Sequence, residues 1–62
     1  MKNKLLKYFG YSHLPQHLQD VSKPFHDLAN KLDSSLPDCE EKDFALRKLL
    51  EAKDCAVRSL IK

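Results

Sequence analysis

Two apolar stripes of helical period, separated by one short turn, leave this chain few folds to choose from. The first stripe runs through Leu18, Val21, Phe25, Leu28, Ala29, Leu32 and Leu36, at spacings of 3, 4, 3, 1, 3 and 4. Residues so spaced share one side of a helix with 3.6 residues per turn. The second stripe is Phe44, Leu46, Leu49, Leu50, Ala56, Val57, Leu60 and Ile61. Between them, Ser34-Ser35-Leu36-Pro37-Asp38 reads as a turn. A turn this short makes the two helices antiparallel neighbours. The expected fold is all-α and a single domain over residues 1–62. A short N-terminal helix at about residues 2–9 precedes a hairpin of helices at about 15–35 and 39–61.

Pro24 sits inside the first stripe. Its ring crowds the carbonyl of Asp20, and it has no N–H to donate there. Either the helix kinks at this point, or it restarts with Ser22 as N-cap. The stripe keeps its phase across Pro24, which favours one kinked helix. A kink shapes a pocket around Lys23, or it curves the helix around a partner helix. Asp38, with Glu41 three residues on, has the pattern of a capping box at the start of the last helix. Glu40, Glu41 and Asp43 complement the positive end of its dipole, and Arg58 and Lys62 the negative end. Arg47, Glu51, Asp54 and Arg58 form a second, charged stripe at spacings of 4, 3 and 4. That stripe is either an exposed ion-pair ladder, with each pair contributing ~0.3–0.5 kcal/mol, or part of a cationic face. In the second case Arg47, Lys48 and Lys53 meet phosphates. Lys53 falls where the apolar stripe would want an apolar side chain.

Ahead of the hairpin lies Tyr8-Phe9-Gly10-Tyr11-Ser12-His13-Leu14-Pro15, with three of the five aromatics and the only glycine. Lys2, Lys4 and Lys7 stand just before it. Leu5 and Phe9 share a helix face, and Gly10 is expected to end that helix in a left-handed conformation. Pro15 suits the first turn of the next helix. Aromatics among cations fit a flat, anionic ligand. The same aromatics are also the natural core plugs of a small helical protein.

A chain of 62 residues builds only a modest core, and small domains add a disulfide, a metal or oligomerisation. Cys39 and Cys55 on one helix would lie ~24 Å apart at ~1.5 Å per residue, beyond the ~7 Å reach of a disulfide. They are read as reduced thiols of a cytosolic protein, a bridge between chains being the alternative. His13, His17 and His26 have no ligand-like pairing with the cysteines, so neither a metal nor a cofactor is read. Oligomerisation remains. The doubled positions Leu28-Ala29, Leu49-Leu50 and Leu60-Ile61 widen the stripes enough to touch more than one helix, so a symmetric homo-oligomer starting from a dimer is expected. Eleven cations are mixed among nine anions for a formal charge of +2, which argues against duplex nucleic acid as a partner. No apolar run approaches the ~18 residues of a membrane span, and Leu5-Leu6 is too short for a signal peptide. The reading is a soluble, intracellular protein that does not bind membranes. No nucleophile or acid–base constellation for an enzyme can be assembled.

One ordered set of residues spans about 8–60. It starts with Phe9-x-Tyr11-x-His13-Leu14-Pro15-x-x-Leu18-Gln19-x-Val21-Ser22-Lys23-Pro24-Phe25. It continues through Leu28-Ala29 and Leu36-Pro37. It ends with Leu46-Arg47-Lys48-Leu49-Leu50-Glu51-Ala52-Lys53-Asp54-Cys55-x-Val57-Arg58. This set resembles the small phage proteins of the anti-CBASS cyclic-nucleotide sponge family, helical-hairpin type. The resemblance implies a protein that is not an enzyme and acts in the cytoplasm of an infected bacterial host. It would sequester cyclic di- and trinucleotide signals, such as cyclic GMP–AMP and cyclic tri-AMP, without cleaving them. It also implies interlocked dimers, three of which form a hexamer.

By the same resemblance, Tyr11 stacks on a base, with Tyr8 and Phe9 as neighbours, and Lys23 or His26 meets phosphate. The implied dinucleotide pocket comprises Tyr8, Tyr11, Ser12, His13, Pro15, Lys23 and His26. The implied trinucleotide site comprises Arg47, Lys48, Glu51 and Lys53. The chain is shorter at its C-terminus than better-studied relatives, which bears on the trinucleotide site and the hexamer more than on the dinucleotide pocket. Two stacked bases at ~1–3 kcal/mol each, with two charge-assisted phosphate contacts, reach toward the −8 kcal/mol or so of micromolar binding. The competing reading is a helical interaction module that binds a host protein, with Tyr8, Phe9 and Tyr11 as interface anchors. A phosphodiesterase would need ligands or an acid–base pair that the sequence lacks.

Overall fold

The computed structural model describes residues 3–61. Lys2 and Lys62, counted among the cations above, lie outside the described residues. A 3₁₀ helix, Lys4–Phe9, leads into helix α1, Gln16–Ser35, and helix α2, Glu40–Arg58. Ala29 packs in one cluster with Leu46, and Asp33 pairs with Lys42. The two residue numbers shift in opposite directions along the contact, so α1 and α2 run antiparallel, as the short turn requires.

The short N-terminal helix is a 3₁₀ helix, and Asn3 anchors it. The Asn3 side chain accepts from the Leu5 N–H at 2.9 Å. Its backbone N–H donates to Asp33 Oδ1 at 3.1 Å, and its side-chain amide donates to Asp43 Oδ1 at 2.6 Å. One asparagine therefore caps the 3₁₀ helix and ties it to both long helices. At the other end Phe9 is fully buried. It forms the centre of the core with Ala29 and Leu46, surrounded by Leu5, Leu6, Phe25, Leu32, Leu49 and Leu50. Burying a phenylalanine contributes about 1.5–3 kcal/mol, so Phe9 is chiefly a core residue. Gly10 departs from expectation. It has φ −58° and ψ 143°, and no described residue has positive φ. The chain leaves the 3₁₀ helix in an extended conformation open to any residue.

Pro15 is the N-cap of α1 rather than a residue of its first turn. Its carbonyl accepts from Leu18 and Gln19 at 2.9 and 3.0 Å. The Gln19 side chain reaches back to the Leu14 carbonyl at 2.7 Å and holds the connector against the helix. α1 runs without a break through Pro24, so Ser22 is not a cap. Ser22 is fully buried, and its Oγ has no hydrogen-bond partner among the described residues. With Leu18 and Ala29 it forms the inward face of α1.

The start of α2 also corrects the sequence reading. Cys39, not Asp38, is the N-cap, and no side chain caps the helix. Asp38 binds Lys42 at 2.8 Å instead. The Lys42 side chain is only 2% exposed. Its ammonium also meets Asp33 Oδ1 at 3.0 Å and the Asp33 carbonyl at 2.7 Å. Three donors find three acceptors, which makes a buried cation tolerable. Hydrogen bonds that Lys42 donates to Asp38 and Asp33 raise its pKa, and accepting them lowers that of each aspartate. α2 ends at Arg58, leaving Leu60 and Ile61 in a terminal turn.

The sequence pattern puts Phe44 and Leu46 on one stripe, yet Leu46 is buried and Phe44 is 48% exposed. Positions two apart on a helix point ~200° apart, so both cannot face one partner. Leu28, Leu36, Leu60 and Ile61 are also exposed.

Candidate ligand-binding surface

The residues that sequence patterning and resemblance singled out fall into separate neighbourhoods. On α1, Tyr11 from the connector meets His26 edge-on, with ring centroids 5.1 Å apart and an interplanar angle of 75°. That is a favourable T-shaped pair. His26 is held on both sides. Its Nε2 lies 3.3 Å from the Asn30 amide nitrogen, and its Nδ1 lies 3.3 Å from Asp27 Oδ1. The amide nitrogen is a donor, so in the neutral imidazole Nε2 accepts and Nδ1 carries the proton toward Asp27. Asn30 also donates to the His26 carbonyl at 2.9 Å. Lys23 joins through the other oxygen of Asp27 at 3.6 Å, with 60% of its side chain exposed. An exposed i, i+4 pair is worth only ~0.3–0.5 kcal/mol, so Asp27 holds Lys23 weakly. Tyr11, His26 and Lys23 thus make a fixed ring beside an available cation.

Tyr8 and His13 belong elsewhere. They line a cleft of about 340 Å³ between the 3₁₀ helix with its connector and the C-terminal half of α2. Lys7, Lys53, Asp54 and Arg58 share that cleft. The Lys7 ammonium stands 5.2 Å from the Tyr8 ring centroid, within cation–π range. Lys7 and Tyr8 also line a second cavity of about 480 Å³, with Lys4 and Arg47. Arg47 and Lys53, assigned by resemblance to one site, line different cavities within the protomer. Lys48 and Glu51 are exposed on α2, and Ser12 and Pro15 are exposed in the connector. The Ser12 carbonyl accepts a long bond from Gln19 at 3.5 Å.

The ion-pair ladder expected along α2 does not form among the described residues. Asp54 pairs with its neighbour Lys53 at 3.2 Å, and Arg58 turns to the Cys55 sulfur at 3.4 Å. Cys39 and Cys55 are both exposed and free. Near the interhelical turn, a cavity of about 670 Å³ is lined by Asn30, Asp33, Asp38 and Lys42. The Lys42 ammonium is already satisfied there, which leaves no spare cation for an anionic ligand. Sequence reasoning passed over Asn30 and Asp27, which orient His26, and gave Lys7 and Arg58 no role in a cleft. The one advance signal was Lys53, a cation on an apolar stripe.

No protein-family model, curated protein or solved structure matches the chain.

Proposed function

We propose that this protein is a non-enzymatic sponge of phage origin. It binds and sequesters the cyclic di- or trinucleotide messengers of bacterial CBASS defence inside the infected cell. The observation that carries the reading is the Tyr11–His26 pair with Lys23 beside it. A tyrosine ring fixed by a T-shaped contact offers a face on which a base stacks. Lys23 supplies charge for a phosphate. A cyclic dinucleotide has two bases and two phosphates, so two copies of this half-site around a two-fold axis match it. The exposed Leu28 and Phe44 give a dimer, and a hexamer built from dimers, apolar surface to bury. Arg47 and Lys48, exposed on α2, are the cations proposed for the trinucleotide. No helix among the described residues is long and apolar enough to cross a membrane.

Calorimetric titration with cyclic GMP–AMP and with cyclic tri-AMP tests the proposal. Tight binding of the dinucleotide near one per two chains is expected, with at least a tenfold loss in Tyr11→Ala and the ring recovered intact after denaturation. Binding of neither ring by a folded oligomer defeats it. The second reading, a module that binds a host protein, draws on the same exposed Leu28, Phe44, Leu60 and Ile61. It predicts that Phe44→Ser abolishes a protein complex while no cyclic nucleotide binds.

A further inference from the structure

The cleft between the 3₁₀ helix and the C-terminal half of α2 has a composition that folding does not explain. Lys53 occupies a position on the apolar stripe of α2, and its side chain is only 12% exposed. An apolar residue there would extend the core at no desolvation cost. The carboxylate it pairs with, Asp54, is its own neighbour and is 46% exposed. Lys7 and Arg58 line the same cleft; neither has an ion-pair partner among the described residues, and the Arg58 guanidinium donates only to the Cys55 sulfur, a weak acceptor, at 3.4 Å. Three cationic residues and one acidic residue, Asp54, therefore line a cavity of about 340 Å³. Tyr8 forms part of the wall, with the Lys7 ammonium near its ring and 52% of the residue still exposed. His13 adds a ring N–H that can donate a hydrogen bond.

We propose that this cleft is a binding site within each protomer for a phosphate monoester carried on one planar ring, of the size of a single nucleotide. Lys53 and Arg58 hold the phosphate, the arginine in its forked geometry. Tyr8 stacks on the ring. The volume is at the small end of the ~300–1,000 Å³ typical of ligand pockets, which suits one nucleotide. A cyclic dinucleotide carries two bases, two sugars and two phosphates and is about twice too large. The site is separate from Tyr11, His26 and Lys23 and does not depend on the sponge reading.

The test is an NMR titration of the full chain with AMP, ribose 5-phosphate and adenosine in parallel. AMP is expected to shift the amides of Lys7, Tyr8, His13, Lys53 and Val57. It should bind at least tenfold more tightly than either fragment, because each fragment supplies only one of the two contacts. Lys53→Met, which keeps the stripe apolar, should weaken AMP at least tenfold without lowering the melting temperature. Tyr11→Ala should leave AMP binding unchanged. Absence of these shifts at millimolar AMP, or shifts centred on Tyr11 and Lys23 instead, overturns the proposal. Equal binding of AMP and ribose 5-phosphate overturns the stacking role of Tyr8.

Discussion

Replacing Phe9 with alanine removes the most deeply buried side chain of the 3₁₀ helix, which packs against both long helices. Phe9 is fully buried and packs on Ala29 and Leu46. Truncating a buried phenylalanine costs about 3–5 kcal/mol, transfer and cavity terms together. A domain of this length is stable by only about 3–9 kcal/mol, at roughly 0.05–0.15 kcal/mol per residue. The substitution thus removes at least a third of the total, and at the low end all of it. At about 4–8 °C per kcal/mol for a small domain, the melting temperature should fall by more than about 12 °C. Urea denaturation followed by circular dichroism, at two protein concentrations, separates this loss from dissociation of an oligomer, whose stability depends on concentration. Phe9→Leu fills most of the volume and should cost much less. A loss under about 1 kcal/mol in Phe9→Ala, with an unchanged denaturant slope, would refute the view that Phe9 centres the core. The cleft beside Lys7 and Tyr8 would then have a loosely held wall.

The Lys42 cluster predicts a plateau of stability with two edges. The lowered pKa values of Asp33 and Asp38 give stability that is present above the ordinary aspartate value of 3.8 and lost as pH falls through their folded values. The raised pKa of Lys42 gives stability that is complete below the ordinary 10.5 and lost as pH rises through its folded value. Urea midpoints against pH should therefore drop at both extremes in the wild type, and the alkaline drop should vanish in Lys42→Met. Ser22→Ala removes a buried hydroxyl that has no partner among the described residues. It should leave stability unchanged or raise it by about 1 kcal/mol, and a clear loss would point to a hidden hydrogen bond. Gly10→Ala should raise the melting temperature slightly, by the ~0.4–1 kcal/mol gained from a stiffer unfolded chain. Its backbone suits alanine, and the new methyl would lie 3.6 Å from the Lys7 carbonyl, an ordinary contact.

Much of the fold was legible in the sequence because helix faces follow from spacing alone. The stripe from Leu18 to Leu36 and the Pro37 turn require two antiparallel helices, and the structure has them. Spacing also singled out Lys53 as a cation on an apolar stripe. Pairing partners were not legible, because they depend on which residues distant in sequence come together. Asp38 reads as a cap until Asp33, on the other helix, draws Lys42 under the turn, where Lys42 takes the Asp38 carboxylate. Gly10 reads as a left-handed stop, but the backbone leaves the 3₁₀ helix extended. The candidate surface divides the same way. The sequence put Tyr8, Tyr11, His13, Lys23 and His26 on one short list by their chemistry. Tertiary packing set Tyr11 against His26 on α1 and turned Tyr8 and His13 toward Lys53 and Arg58 on α2. Local propensity and periodicity act over a few residues and so are written in the chain. The neighbours of a side chain across two helices are set only when the core closes around Phe9.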